Sequence, residues 1–379
     1  MNRRYAFRCL MGMVSSSPLL AMQNGDDDVL GPVNVHEFEE VAKKKLHKLA
    51  YDFIAGGVED EMTLEANRAA YKHWYLVPRV MTDVSTVDLS TEVFGIKLPA
   101  PILVAPTGGK NLVLPNAENI VARACAKTKT LFCTGAGAER AVEDFDNVHW
   151  WSNTTGQATK TAAVSYAKRI EDRGGKAITV TVDNQYQSNR DRNNRNRFDY
   201  GYMGTGVPKA GVNQPPRNPA RAAMWQPHTP NLTWDYIDWV RGAVNLPVIL
   251  KGVLAPEDAE LAVSRGASGI VVSNHGGRQL DGVIATIDAL PDVIQATGGK
   301  IPVLMDGGIR RGTDILKALG LGAKAVLVGR APLWGLGAFG QPGVERVLEL
   351  LAAELKLAMA LAGKANLAQI DRKLVRRIG

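Results

Sequence analysis

From about residue 98 onward, short apolar runs alternate with longer segments whose apolar positions recur every three or four residues. The apolar runs fall at 101–105, 130–134, 149–152, 177–182, 247–250, 269–272, 302–305 and 325–328, and most end in Gly, Asp, Asn or Thr. Each is β-branched or continuously apolar, as strands of a parallel sheet buried on both faces are. Helical patterns lie between them, at 117–128, 161–173, 256–265 and 313–319. Pro256 with Glu257 and Asp258, and Thr313 with Asp314, supply start signals for two of these helices. Eight alternations predict an α/β protein whose strands close into a (β/α)8 barrel rather than an open sheet.

The flanking segments break this period. Residues 33–90 read mainly as helices, a cap over one barrel end. Residues 198–232, after the fourth strand, are rich in Pro, Gly and Asn and carry Tyr200, Tyr202, Met203 and Trp225. So long a connection inside a barrel reads as a lid or a disordered insert. Residues 1–28 stand apart from the barrel domain, 29–379. Arg3-Arg4 and a weakly apolar stretch from Cys9 to Met22, interrupted by Ser15, Ser16, Ser17 and Pro18, resemble a twin-arginine export signal. Such a signal would carry a folded protein to the periplasm; the other reading is a tail on a cytoplasmic protein.

Composition narrows the classes. The 379 residues are 45% hydrophobic and 22% charged, ordinary for a soluble globular chain. No apolar run is long enough to span a membrane as a helix. Net charge is +7, mostly scattered. The one dense basic run, Arg190 to Arg197, has no interleaved aromatics and follows a strand, so a nucleic-acid partner is not indicated. Cys9, Cys125 and Cys133 form neither a disulfide framework nor a metal-ligand spacing.

In a barrel of this kind the C-terminal strand ends carry the chemistry. Ser273-Asn274-His275-Gly276-Gly277-Arg278 follows the strand at 269–272 and sets an imidazole three residues from a guanidinium. An imidazole titrates near neutral pH and suits proton abstraction, while a guanidinium grips a carboxylate with two parallel bonds. Lys251 emerges from an apolar strand, where an ammonium is costly unless it meets a negative charge. Asp183, also at a strand end, is placed to pair with an imidazole that becomes positive. Two glycine-rich turns, Asp306-Gly307-Gly308-Ile309-Arg310 and Gly329-Arg330, read as a phosphate cradle, with backbone N–H groups as donors and Arg310 and Arg330 as counter-charges.

With these residues in place, the chain resembles the FMN-dependent α-hydroxy acid dehydrogenase/oxidase family, which includes glycolate oxidase, lactate oxidase and mandelate dehydrogenase. The resemblance runs from about Val35 to Ile378. It includes Tyr51-Asp52-Phe53-Ile54-Ala55-Gly56-Gly57-Val58-Glu59-Asp60-Glu61, Leu250-Lys251-Gly252-Val253, the His275 cluster and Asp306-Gly307-Gly308-Ile309-Arg310-Arg311-Gly312. It implies FMN as cofactor and His275 as the base, with Asp183 stabilising its protonated form. Arg278 and Arg190 would hold the carboxylate of a small anionic substrate. Lys251 would face the flavin N1 and C2 carbonyl. Pro106, Thr107, Gly108, Asn153, Thr181, Ser273, Asp306 to Arg310, Gly329 and Arg330 would lie along the FMN. The reaction implied is loss of the hydroxyl proton of an (S)-2-hydroxy acid to His275 with transfer of the α-hydrogen to flavin N5. The electron acceptor would be dioxygen, or a quinone or other carrier. A homotetramer is implied as well; no metal is.

The departures fall in the substrate pocket. The family's usual tyrosines are replaced by Phe53 and Thr155, its usual glutamine by Asn153, and larger residues by Gly135 and Gly137. Gln185, Tyr186 and Ser188 stand where Pro, Arg and Gly are usual. Losing one hydrogen bond to a charged group costs about 1.5–3 kcal/mol, so small acids would turn over poorly. The favoured expectation is a substrate bulkier than lactate; the other is that Tyr186, Gln187 or the loop aromatics refill the space. Arg330-Ala331-Pro332-Leu333-Trp334-Gly335-Leu336 resembles the mycofactocin-type branch that oxidises a peptide-derived C–N bond, but Arg278 and Arg190 argue for an anionic substrate. A flavin-dependent isomerase and a flavin-binding protein that has lost turnover remain as alternatives.

Overall fold

The computed structural model describes residues 28–143, 145, 147–206 and 227–378. The Arg3-Arg4 segment and Trp225 lie outside the described residues. The described residues open with three short helices, α1 (Val35–Lys45), α2 (Lys48–Ala55) and α3 (Met62–Ala69). Asn34 caps α1 by accepting from the backbone N–H of His36 and Glu37, and Lys43 to Lys45 sit in its last turn, where the helix dipole favours cations. Then come β1 (Trp74–Leu76) and a hairpin of β2 (Thr91–Val93) and β3 (Ile96–Leu98).

The barrel follows. Its strands are β4 (Ile102–Val104), β5 (Leu131–Cys133), β6 (Trp150–Thr154), β7 (Ile178–Thr181), β8 (Val248–Val253), β9 (Gly269–Val272), β10 (Val303–Met305) and β11 (Val326–Val328). All pair in parallel, and β11 closes the ring on β4. The intervening helices are α4 (Ala117–Thr128), α5 (Lys160–Asp172), the short α6 (Asp191–Arg195) and α7 (Tyr202–Thr205), α8 (Asp235–Arg241), α9 (Pro256–Ser264), α10 (Thr286–Thr297) and α11 (Gly312–Gly320). Helix α12 (Arg330–Leu361) bends at Phe339–Gly340, just before Pro342. Strand β12 (Val375–Arg377) returns to pair antiparallel with β1. The (β/α)8 barrel and its N-terminal cap therefore stand. Strand ends differ from expectation by one to three residues, the largest at β8, which runs on to Val253; three strands start one residue late because Pro101, Pro247 and Pro302 lack the N–H that would extend the ladder.

The barrel interior is solid. Leu103, Leu131, Trp151, Ile249, Val271, Leu304 and Leu327 fill it in layers. The β2–β3 hairpin plugs the N-terminal end. Phe94 and Gly95 both have positive φ, as a two-residue turn with right-twisted strands requires, and the Phe94 ring meets Trp151 edge-on at 5.6 Å. This hairpin was not expected from sequence. With that end plugged, the barrel interior opens at its C-terminal mouth.

The basic run at 190–197 begins at the mouth, where Arg190 lines the cavity. Arg192 pairs with Glu61 and Asn196 with Asp52, tying α6 to the N-terminal cap.

The glycines of the turn after β10 have a packing reason that motif reading did not supply. A Cβ on Gly308 would lie 1.9 Å from the Asn67 carbonyl oxygen, and Gly308 has a φ of +74°. Gly308→Ala is expected to cost about 3 kcal/mol, from backbone strain plus overpacking. A lowered urea midpoint would register it; an unchanged midpoint would contradict the close approach of α3.

Candidate active site

A cavity of about 690 Å3 opens at the C-terminal mouth. Strand β8 delivers its buried cation. The register between β8 and β9 shifts between Lys251 and Val253, a bulge that re-aims the chain at Gly252. Gly252 is required there, since its φ is +113° and a Cβ would lie 2.6 Å from the Asp183 carboxyl carbon. Lys251 is 4% exposed; its Nζ donates to Ser273 Oγ at 3.0 Å and pairs with Asp306 at 3.1 Å. Burial alone would lower its pKa, but the Asp306 and Asp183 carboxylates outweigh that and hold it above the ordinary value. Lys251 is charged.

His275 sits at the start of a left-handed turn, with φ of +57°, followed by Gly276 at +66° and Gly277 at +72°. A histidine in that region is strained and persists only where its surroundings over-determine it. Here its N–H donates to Ser273 Oγ at 3.1 Å, and the Gly277 carbonyl accepts from Val58 at 3.0 Å. The turn aims Nδ1 at Asp183, 3.1 Å away. A carboxylate accepts only, so Nδ1 carries the proton and Nε2 keeps its lone pair. Burial holds the His275 pKa below the usual imidazole range, partly offset by Asp183. Burial would raise Asp183, but His275 and Lys251 bring it below the usual carboxylate value. At neutral pH the pair is therefore neutral imidazole beside carboxylate.

Two arginines flank Phe53. Arg278 lies 5.0 Å from the ring centroid and Arg190 5.9 Å. Arg278 Nη1 donates to the carbonyls of Phe53 and Gly56, each at 2.7 Å. Arg190 Nε donates to Ser188 Oγ at 2.9 Å. Phe53 is buried and stacked on Phe198 at 4.9 Å.

The far end of the cavity holds anion donors. Helix α12 begins after Gly329 with no side-chain cap, so its first amides are open to the cavity that Gly329 and Arg330 line. Arg310 is buried, with Nε lacking any protein partner among the described residues. Along the cavity, Thr181 Oγ1 donates to Asn153 Oδ1 at 2.8 Å, leaving the Asn153 amide nitrogen free of protein acceptors among the described residues. The volume is that of a cofactor site. A buried guanidinium with an unpartnered Nε, uncapped helix amides and a charged buried lysine fit a ligand with a phosphate at one end and a polarisable ring at the other, as FMN has.

Seventeen expected residues share this one cavity. They are Phe53, Pro106, Thr107, Gly108, Asn153, Thr155, Thr181, Arg190, Lys251, His275, Arg278, Asp306, Gly307, Gly308, Arg310, Gly329 and Arg330. Asp183 and Ser273 sit behind it, bonded to His275 and Lys251. Two expectations are corrected. Gly137 does not line the cavity; it opens a 3-10 turn with φ of +74°, and its glycine serves that backbone rather than substrate volume. Tyr186 does not either. It is 52% exposed and forms a bridge to Pro227, so its neighbours Asn184 and Gln187 face inward instead. Gln187 donates to the Tyr200 hydroxyl at 2.8 Å, and both line the wall, as refilling groups would.

Sequence reading missed Met203 and Leu333 as wall residues, Met203 lying above Gly108, and His228 altogether. It also missed the buried Lys110–Glu118 pair at 2.7 Å beneath the Thr107 loop. Lys110 donates to the Thr107 carbonyl at 2.7 Å and Glu118 accepts from the Gly135 N–H at 3.0 Å, so one ion pair sets two loops. The only sequence signal was a lysine and a glutamate eight positions apart across a predicted helix start.

Comparison with known proteins agrees with this architecture. Residues 42–377 match the family described as FMN-dependent dehydrogenase. The chain is 41% identical to peroxisomal (S)-2-hydroxy-acid oxidase GLO4 of Oryza sativa subsp. japonica, over 91% of this chain and 96% of that one. It is 40% identical to an L-lactate oxidase of Nostoc sp., over 90% and 98%. Among solved structures, mandelate oxidase with benzoyl-formic acid superposes with a TM-score of 0.80 at 36% identity, covering 92% of this chain and 98% of that chain. The chain belongs to the FMN-dependent dehydrogenase family.

Proposed function

We propose that the protein oxidises an (S)-2-hydroxy acid with a side chain larger than lactate's methyl group to the corresponding 2-oxo acid. The observation that carries this reading is the sharing of one cavity by the His275–Asp183 pair and the guanidinium groups of Arg278 and Arg190. Arg278 Nη2, which no protein acceptor meets among the described residues, and Arg190 bind the carboxylate. His275 Nε2 takes the hydroxyl proton, and the carboxylate of Asp183 stabilises the imidazolium that results. Lys251, charged and buried, together with Arg310 and the first amides of α12, holds the cofactor. Bound FMN supplies the two-electron acceptor for the α-hydrogen.

The walls support the larger substrate. Phe53 carries no hydroxyl to bond a small acid's carboxylate, and Thr155 is short. Phe53, Met203 and Leu333 present apolar surface to the cavity, and Gln187 with Tyr200 leaves a polar edge. The names of the relatives support hydroxy-acid chemistry, and mandelate oxidase has been solved with an aryl 2-oxo acid.

Anaerobic bleaching of the purified yellow protein tests the proposal. The panel runs from glycolate and lactate through mandelate, phenyllactate and long-chain 2-hydroxy acids, with peptide amines as controls. Large hydroxy acids are expected to bleach the flavin fastest. Phe53→Tyr is expected to speed bleaching by lactate about tenfold or more, by adding one hydrogen bond to a charged group. Silence across every hydroxy acid would overturn the proposal. Bleaching by the amine controls alone would move it to C–N oxidation.

A further inference from the structure

Arg330 was expected, from its place after the eighth barrel strand, to neutralise a phosphate. Its guanidinium is engaged elsewhere. Nε donates to the Ile54 carbonyl at 2.8 Å, Nη2 to the Gly56 carbonyl at 2.9 Å and Nη1 to the Gly276 carbonyl at 2.9 Å. Three of its five N–H donors are thus held by backbone oxygens of two separate elements. Ile54 and Gly56 belong to the C-terminal end of α2, where carbonyls lack helical partners and the dipole is negative. Gly276 is the middle residue of the left-handed turn that begins at His275.

From this geometry we infer that the Arg330 side chain is a positioning group, which locks the turn carrying His275 to the end of α2, and is not the counter-charge of the cofactor phosphate. The Gly56 carbonyl accepts from both Arg330 and Arg278, so the clamp also fixes the substrate-binding guanidinium. Two like charges come close because α2 offers them its terminal carbonyls. A Cβ at Gly276 would sit 2.8 Å from Arg330 Nη1, so the turn and the guanidinium are in close contact. The phosphate end keeps its own donors, the open amides of α12 and the orphaned Nε of Arg310. The inference rests on the roles proposed above for His275 and Arg278.

The test compares Arg330→Ala, Arg330→Lys and Arg310→Met. The first readout is the affinity of each apoprotein for FMN relative to riboflavin, which lacks the phosphate. Arg330→Ala is expected to keep the wild-type ratio, whereas Arg310→Met is expected to lose it by about tenfold or more. The second is hydrogen exchange across residues 273–279, which needs no substrate. Protection there is expected to fall in Arg330→Ala and to persist in Arg310→Met. The third is steady-state turnover of the best hydroxy acid, where Arg330→Ala is expected to lose roughly 100-fold in kcat/KM with a raised KM. Added guanidinium ion is expected to restore part of that loss. Arg330→Lys, which keeps the charge without the fork, is expected to behave like the alanine variant, and it serves in its place if Arg330→Ala fails to fold. An FMN-to-riboflavin ratio that collapses in Arg330→Ala, or unchanged exchange across the turn, would overturn the inference. Because the first two readouts use no substrate, they stand even if no hydroxy acid is oxidised.

Discussion

Replacing His275 by alanine is expected to leave a yellow protein whose flavin is reduced by its hydroxy acid at least about 10²–10⁴-fold more slowly, the contribution of a positioned general base. FMN should stay bound, because His275 supplies none of the donors at the phosphate end. Wild-type kcat/KM should rise from acid pH through an ionisation below the usual imidazole value of 6.5, since burial disfavours the imidazolium, and should be level through neutral pH. The active form is the neutral ring, so a lower pKa extends activity to lower pH. In Asp183→Asn the carboxylate that raises the His275 pKa is gone. Its acid limb should therefore move further down even as the maximal rate falls. Anaerobic stopped-flow at several pH values measures both. A His275→Ala variant that bleaches as fast as wild type would sink the assignment of the base.

Lys251→Met should have the second large effect, on binding and folding together. The change leaves the Asp306 carboxylate buried beside the empty position, with its Oδ1 already lacking a partner. Removing one member of a buried pair costs about 3–5 kcal/mol. FMN affinity should also fall, because a buried positive charge lining the proposed cofactor cavity is lost. The double variant Lys251→Met with Asp306→Asn should recover part of the stability but little of the affinity, which separates the two contributions. Urea unfolding of the apoprotein and fluorescence titration with FMN give the two numbers. Full recovery of FMN affinity in the double variant would mean that Lys251 acts only as the partner of Asp306.

The barrel was legible because it repeats. Eight apolar runs in register with helical segments leave few other ways to bury both faces of each strand, and β9 falls on the expected residues. Candidate site residues were legible for a related reason: the fold brings strand ends to one mouth, so reading the strand ends reads the mouth. Single-residue contacts were not. Gly308 was assigned to a phosphate cradle, but what excludes a Cβ there is the Asn67 carbonyl, far off in sequence. Gly137 and Tyr186 were assigned to the substrate wall because of what they replace in the family, and each answers instead to its own backbone, a positive φ in one case and a bridge to Pro227 in the other. The β2–β3 hairpin was missed because its three-residue strands are too short to show a period.

By itself, the sequence determined the barrel, the mouth as the seat of chemistry and the set of residues gathered there, because hydrophobic periodicity and strand-end position are local properties of the chain. Only the tertiary structure decided what each side chain does with its hydrogen-bonding capacity. Donors and acceptors are directional and must find partners within about 3 Å, and those partners come from elements distant in sequence. Lys251 meets Asp306, His275 meets Asp183, and Arg330 spends three donors on the end of α2 and the turn behind the base. Closure of the barrel set the first two pairings, and the packing of α2 against the mouth set the third.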